Sequence, residues 1–187
     1  RKTRLGNPFL LRSVDPPLTV ADDQVVRDVR RVGKRIAIGL GNDLWLVLHL
    51  MVAGRLAWAD KRPVLKAKNR LAAFDFDHGS LLLTEAGTKK RASLTVVRGE
   101  TGLASQDPGG IEPLACDFTA FRTALTRENH TLKRALTDPR LFAGIGNAYS
   151  DEILHAARLS PVALSQSLDE FAVERLYAAT RDVLTAW

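Results

Sequence analysis

TLKRALTDPRLFAGIGNAYSDEILHAARLSP, residues 131–161, reads as a short helix, a glycine-punctuated connection and a second helix. Thr131 is placed to N-cap a helix reaching about Leu136, and Asp138-Pro139 ends it, because proline has no N–H to donate and restricts the residue before it. Gly144 and Gly146 flank Ile145, and glycine allows the backbone positive φ and a close approach to a ligand there. Asn147 stands where the second helix begins, and the first-turn N–H groups of a helix have no partner within it. Such an end attracts phosphate.

The sequence after residue 114 keeps a helical period. Asp117 can cap a helix that places Phe118, Phe121 and Leu125 on one face. Ser167 and Glu170 have the spacing of a capping box for a last helix, with Leu168, Phe171, Leu176, Ala179, Val183 and Trp187 as its apolar stripe. Upstream, residues 5–97 read mainly as β, in short apolar runs separated by turn residues. Leu44-Trp45-Leu46-Val47-Leu48 reads as a buried strand, and Phe74 to Leu83 as a hairpin turning at His78-Gly79. Pro8 to Leu11 reads as strand-like, and Asp22 to Val32, with Val25, Val26 and Val29, as a helix or turn. Gly102, Pro108, Gly109, Gly110 and Pro113 mark a boundary, giving a β domain over 1–113 and a helical domain over 114–187.

The formal charge of +6 is unevenly spread, since residues 1–70 hold 15 Lys and Arg against six Asp and Glu. An excess of that kind suits a polyanionic partner, or simply a solvated basic surface. With one cysteine, Cys116, the chain can form neither an internal disulfide nor a cysteine-rich zinc site, and we expect a buried, inert thiol. No stretch approaches a membrane span and no signal peptide is evident, so an intracellular protein that does not bind membranes is expected. The start at Arg1, and a last helix with no Gly or Pro to close it, lead us to expect a chain shortened at both ends.

The 131–161 string resembles the helix–two-turn–helix of the formamidopyrimidine-DNA glycosylase and endonuclease VIII family. Leu132-Lys133, Gly144-Ile145-Gly146-Asn147, Tyr149, Asp151-Glu152 and Leu159-Ser160-Pro161 carry the likeness. Gly33-Lys34-Arg35, His49-Leu50 with Gly54-Arg55-Leu56, and Gly110 to Leu114 extend it over nearly the whole chain. The resemblance implies an α+β fold, with an N-terminal β-sandwich lacking its N-terminal helix followed by the helix–two-turn–helix domain. It implies a base-excision enzyme that holds double-stranded damaged or abasic DNA in the cleft between the domains, removes oxidised bases and nicks the strand by β-elimination. It also implies a monomer in the bacterial cytoplasm, associated with the nucleoid, and a zinc finger in the whole protein.

By the same resemblance, Lys34 contacts phosphate and assists elimination, and His49, Lys89, Lys90, Arg91, Gly146 and Asn147 bind DNA. Lys133 is either a phosphate contact or a polar-face lysine, and Tyr149 and Glu152 belong to the helix pair itself. Met51 or Val52 would fill the void left by the flipped base; the family places a methionine where Val52 stands. The family's arginine–phenylalanine loop falls on Glu85 to Ser93, which holds no aromatic residue, and a family histidine is replaced near Lys68-Asn69-Arg70. The family's proline nucleophile and its neighbouring glutamate have no counterpart before Arg1, so the chain by itself is expected to bind without catalysing. The competing reading is a non-catalytic nucleic-acid-binding module that uses the same helix pair.

Overall fold

Five consecutive side chains of Leu44–His49 are buried in the computed structural model, which describes residues 1–186. The strand is covered on both faces, so its sequence runs apolar without alternating. Leu44, Leu46 and Leu48 point into the main core of the first unit, Arg1–Gln106. Trp45 and Val47 point the other way and pack with Ala37 and Leu103. Alternation is the signature of a strand with one wet face, and this strand has none.

The first unit holds two four-stranded antiparallel sheets. One contains β1 (Lys2–Leu5), β5 (Gly54–Ala59), β6 (Arg70–Phe76) and β7 (Gly79–Glu85), in the order β1-β6-β7-β5. The other contains β2 (Val26–Val32), β3 (Arg35–Leu40), β4 (Leu44–His49) and β8 (Ser93–Arg98), in sequence order. Leu71, Phe74 and Leu83 of the first sheet share one core with Leu46, Leu48 and Leu94 of the second. Burying each such side chain contributes about 1.5–3 kcal/mol, which makes this core the main source of the unit's stability. The short helix α1 (Gly99–Ala104) lays Leu103 over the outer face of the second sheet.

The second unit begins at Asp107. Its helices are α2 (Phe118–Thr126), α3 (Leu132–Thr137), α4 (Asn147–Ala157) and α5 (Glu170–Thr185). Phe121, Phe142 and Tyr177 form an aromatic cluster, with ring centroids 4.9 and 5.3 Å from Phe121. Leu132, Leu136, Ile145, Ile153 and Leu176 complete the core around it. Asp117 caps α2 through a 2.7 Å hydrogen bond from the Ala120 amide.

Several local expectations are corrected. Val26–Val32 is a strand, not a helix: its β-branched valines pair with β3 along its length, and a bulge between Val26 and Asp28 produces the spacing that mimics a helix. Pro8–Leu10 is a turn of 3-10 helix capped by Asn7, rather than strand. Helix α5 is capped by the Asp169 carboxylate, which accepts the Ala172 amide at 2.7 Å, whereas Ser167 turns its hydroxyl to the Leu164 carbonyl. The stripe shifts accordingly: Ala172, Val173, Leu176 and Ala179 are buried and Phe171 is 74% exposed. Trp187, assigned to that stripe, lies outside the described residues. Thr131 holds the N-cap position of α3 without a side-chain capping bond. Cys116 is half-buried, and burial pushes its thiol up.

Candidate nucleic-acid interface

Three turns of the first unit converge at one end of the β2-β3-β4-β8 sheet. Gly33 and Lys34 form a two-residue connection between Val32 and its register partner Arg35, with Gly33 at φ +55 as such a turn demands. Arg35 in turn pairs with His49, the last residue of β4, and His49 pairs with Ser93, the first of β8. The row Arg35–His49–Ser93 therefore sets the Lys34 turn, the 50–53 turn and the 86–92 loop side by side. None of these residues are close in sequence.

His49 is half-buried. Burial, and then the charges of Arg35 and Lys34, lower its pKa, so the imidazole is neutral near pH 7. In the turn beyond it the Gly54 amide donates to the Leu50 carbonyl at 2.9 Å, and Met51 takes φ +55. Met51 is 42% and Val52 81% exposed, so the turn offers apolar side chains to solvent beside the Arg35–His49–Ser93 row.

The 86–92 loop is internally braced. Glu85, 2% exposed, accepts the Arg91 amide at 2.9 and 3.0 Å and the Ala92 amide at 3.2 Å. The Lys90 ammonium folds back onto the carbonyls of Glu85 and Gly87, both at 2.6 Å. Lys89 and Arg91 are exposed. Not every cation of this unit faces solvent unspent: Arg30 binds Asp28 at 2.6 Å and Glu100 at 2.8 Å and lies 4.6 Å above the Trp45 ring.

The second unit builds its own anion-attracting end. In the connection from α3, whose C-cap is Asp138, Gly144 takes φ +82 two residues before Gly146, the N-cap of α4. Gly146 itself has φ −114, so only Gly144 needs the left-handed region, correcting the expectation for the pair. No side chain caps α4 and no acid stands in its first turn. Asn147 opens the helix, exposed, and Lys133 reaches across from α3 to the Asn147 carbonyl at 3.3 Å and to the Asp151 carboxylate. Lys133 is thereby held beside the helix end. Lys34, His49, Met51, Val52 and Lys89 to Arg91 are thus gathered in one unit, and Lys133, Gly146 and Asn147 in the other. Sequence reasoning missed Glu85, whose signal was a lone acid closing an apolar strand before a basic loop.

No group of three or more His, Cys, Asp or Glu among the described residues could hold a metal ion, and with one cysteine the chain does not fit a four-cysteine zinc finger. No helix among the described residues is long and apolar enough to cross a membrane.

Exposed cations on turns and an uncapped helix end are the equipment of a protein that grips polyanions by their backbone. Residues 8–93 match the formamidopyrimidine-DNA glycosylase N-terminal domain, and residues 110–186 match the formamidopyrimidine-DNA glycosylase H2TH domain. A formamidopyrimidine-DNA glycosylase of Desulforamulus reducens is 30% identical over 190 residues, covering 97% of this chain and 68% of that protein. One from Heliobacterium modesticaldum is 37% identical over 163 residues, covering 84% of this chain and 58% of its own length. The chain belongs to the formamidopyrimidine-DNA glycosylase family. It spans 58 and 60% of the relatives from Heliobacterium modesticaldum and Pelotomaculum thermopropionicum. Its fold is that of a MutM solved in complex with DNA containing carbocyclic 8-oxo-G, with TM-score 0.88 at 22% identity over 98% of this chain and 70% of that one. Lactococcus lactis Fpg in complex with abasic-site DNA superposes equally well, with TM-score 0.88 at 22% identity over 98 and 69% of the two chains.

Proposed function

We propose that this chain is the DNA-gripping core of a base-excision enzyme that removes oxidised bases from duplex DNA and, in the whole protein, nicks the strand by β-elimination. The observation that carries the reading is the Arg35–His49–Ser93 row, which sets Lys34, His49 and the Lys89–Arg91 loop together although the sequence scatters them. Turn-borne cations bind phosphates and leave the bases unread, which suits an enzyme that must flip one nucleotide out of any sequence. Met51 and Val52 stand next to that row as the side chains to occupy the space a flipped base leaves. In the second unit the Asn147 end of α4 takes a further phosphate, with Lys133 holding the helix end in place.

The damaged partners named for the MutM and Lactococcus complexes support damaged or abasic duplex as the substrate here. Lys34 assists elimination, while the attacking amine and the zinc finger belong to the whole protein, which acts as a monomer on the DNA of the bacterial cytoplasm. The 187 residues alone bind and do not cut.

The test is salt-dependent binding to an abasic-site duplex. Lys34→Ala and Asn147→Ala should each flatten the log–log salt slope by about 0.9, the value of one phosphate contact. An unchanged slope in both variants would overturn the reading. Strand cleavage by the chain alone, with a borohydride-trapped adduct, would show that one of its own amines is the nucleophile.

A further inference from the structure

Glu85 is buried, carries no function so far, and lies where three elements meet. It is the last residue of β7 and pairs in register with Gly54, where the Met51–Val52 turn re-enters the sheet. Its amide donates to the Asn69 carbonyl at 2.9 Å, tying down the end of the 60–69 connection. Its carboxylate grips the Arg91 and Ala92 amides, the last two before Ser93 joins the His49 row. A carboxylate taken out of water is costly unless its oxygens are satisfied, and here backbone amides satisfy them. The consequence is mechanical. With Lys90 clipped onto the Glu85 and Gly87 carbonyls, the loop is closed on itself at both ends, and only Lys89 and Arg91 are left to project outward.

Resting on the DNA-binding reading above, we propose that Glu85 is the positioning residue of the interface: by holding the Arg91 and Ala92 amides it fixes the 86–92 loop in one shape, and so presents Lys89 and Arg91 to the DNA backbone beside His49. Lys90 serves as the loop's inner clip. A loop fixed before DNA arrives loses little conformational freedom on binding, which is where the gain in affinity comes from.

The experiment is a double-mutant cycle on the 187-residue chain, read as affinity and salt slope on an abasic-site duplex. Arg91→Ala should reduce the slope by about 0.9. Glu85→Gln, which keeps the shape but removes the charge, should weaken binding about tenfold, as expected when charge-assisted bonds that hold a contact residue are lost. In the double variant Glu85→Gln should cost little more than Arg91→Ala alone, because it acts through that residue. Glu85→Asp, with its carboxylate retained, should recover part of the affinity. Amide hydrogen exchange on the unmutated chain supplies a reading that needs no variant: the Arg91 and Ala92 amides should be protected in the absence of DNA. If those amides exchange as freely as the loop tip, or if Glu85→Gln binds like the unmutated chain while Arg91→Ala does not, the positioning role is overturned and the phosphate reading stands. If Lys34→Ala, Arg91→Ala and Asn147→Ala all leave the slope untouched, it is the DNA-binding reading that falls.

Discussion

In the proposed reading, the two units reach for an anion by different means. The β unit spends side chains: its cations sit on turns at the end of a sheet, and its sequence carries the charge excess. The helical unit has more acids than bases, and offers backbone N–H groups at the start of α4 instead. Each solution puts its dependence elsewhere. Side chains on turns can be removed one at a time with the sheet intact, whereas a helix end exists only if the core beneath it holds the helix in place.

The sharpest way to break that contrast is to attack the helical core. Phe121 is fully buried between Phe142 and Tyr177, and Phe121→Ala should destabilise the helical unit by about 3–5 kcal/mol. Urea unfolding followed by circular dichroism at 222 nm measures it, and a cost below about 1 kcal/mol would mean that the helix end does not depend on this core.

The β unit has its own polar anchor in Asp75. Burial alone would push this carboxyl up, but hydrogen bonds from Arg4, Ser80 and Arg62 outweigh it and hold the group far below the usual carboxylate range. A depressed carboxyl stabilises the fold above its unfolded-state pKa of about 4, and that contribution is lost as the pH falls toward the folded value. Asp138 behaves in the same sense in the helical unit, held at about 2 chiefly by Arg140. Its partner is an exposed arginine two residues away, whereas Asp75 ties β6 to Arg4 of β1. Asp75→Asn should therefore cost on the order of 2 kcal/mol at pH 7 and flatten the loss of stability below pH 4. Asp138→Asn should do less on both counts. Equal effects in acid titrations of the two variants would erase the distinction.

The smallest expected effect concerns His49. Its pKa is lowered in the unbound protein, so a phosphate beside it should raise it and DNA binding should take up a proton. Affinity should then rise as the pH falls from 7.5 to 6, by at most about tenfold per unit for one linked proton. In His49→Gln the rise should vanish, and a rise that persists would place the linked proton elsewhere.

The sequence made the helix pair legible because its grammar is local: Asp138-Pro139 stops one helix and Gly144 to Asn147 starts the next within a dozen residues. The 44–48 strand and the Phe74 to Leu83 hairpin were readable for the same reason, though the hairpin turns at Asp77-His78 and Gly79 already opens β7. Val26–Val32 was not, because an edge strand wet on most of its length keeps its valines at spacings that a bulge can shift. The last helix was misread by a few residues where two caps competed, and Asp169, nearer the helix start and charged, prevailed over Ser167. Candidate residues could be named one by one, but their gathering rests on cross-strand register, which no local pattern encodes. Glu85 escaped notice because what it does depends on amides six and seven residues further on.

The 86–92 loop begins at a strand that ends in its own anchor and returns to a strand at Ser93. Its two attachments lie in the framework, so the residues between them form an exchangeable cassette. Residues 86–92 can therefore change in content while the strands on either side keep their register.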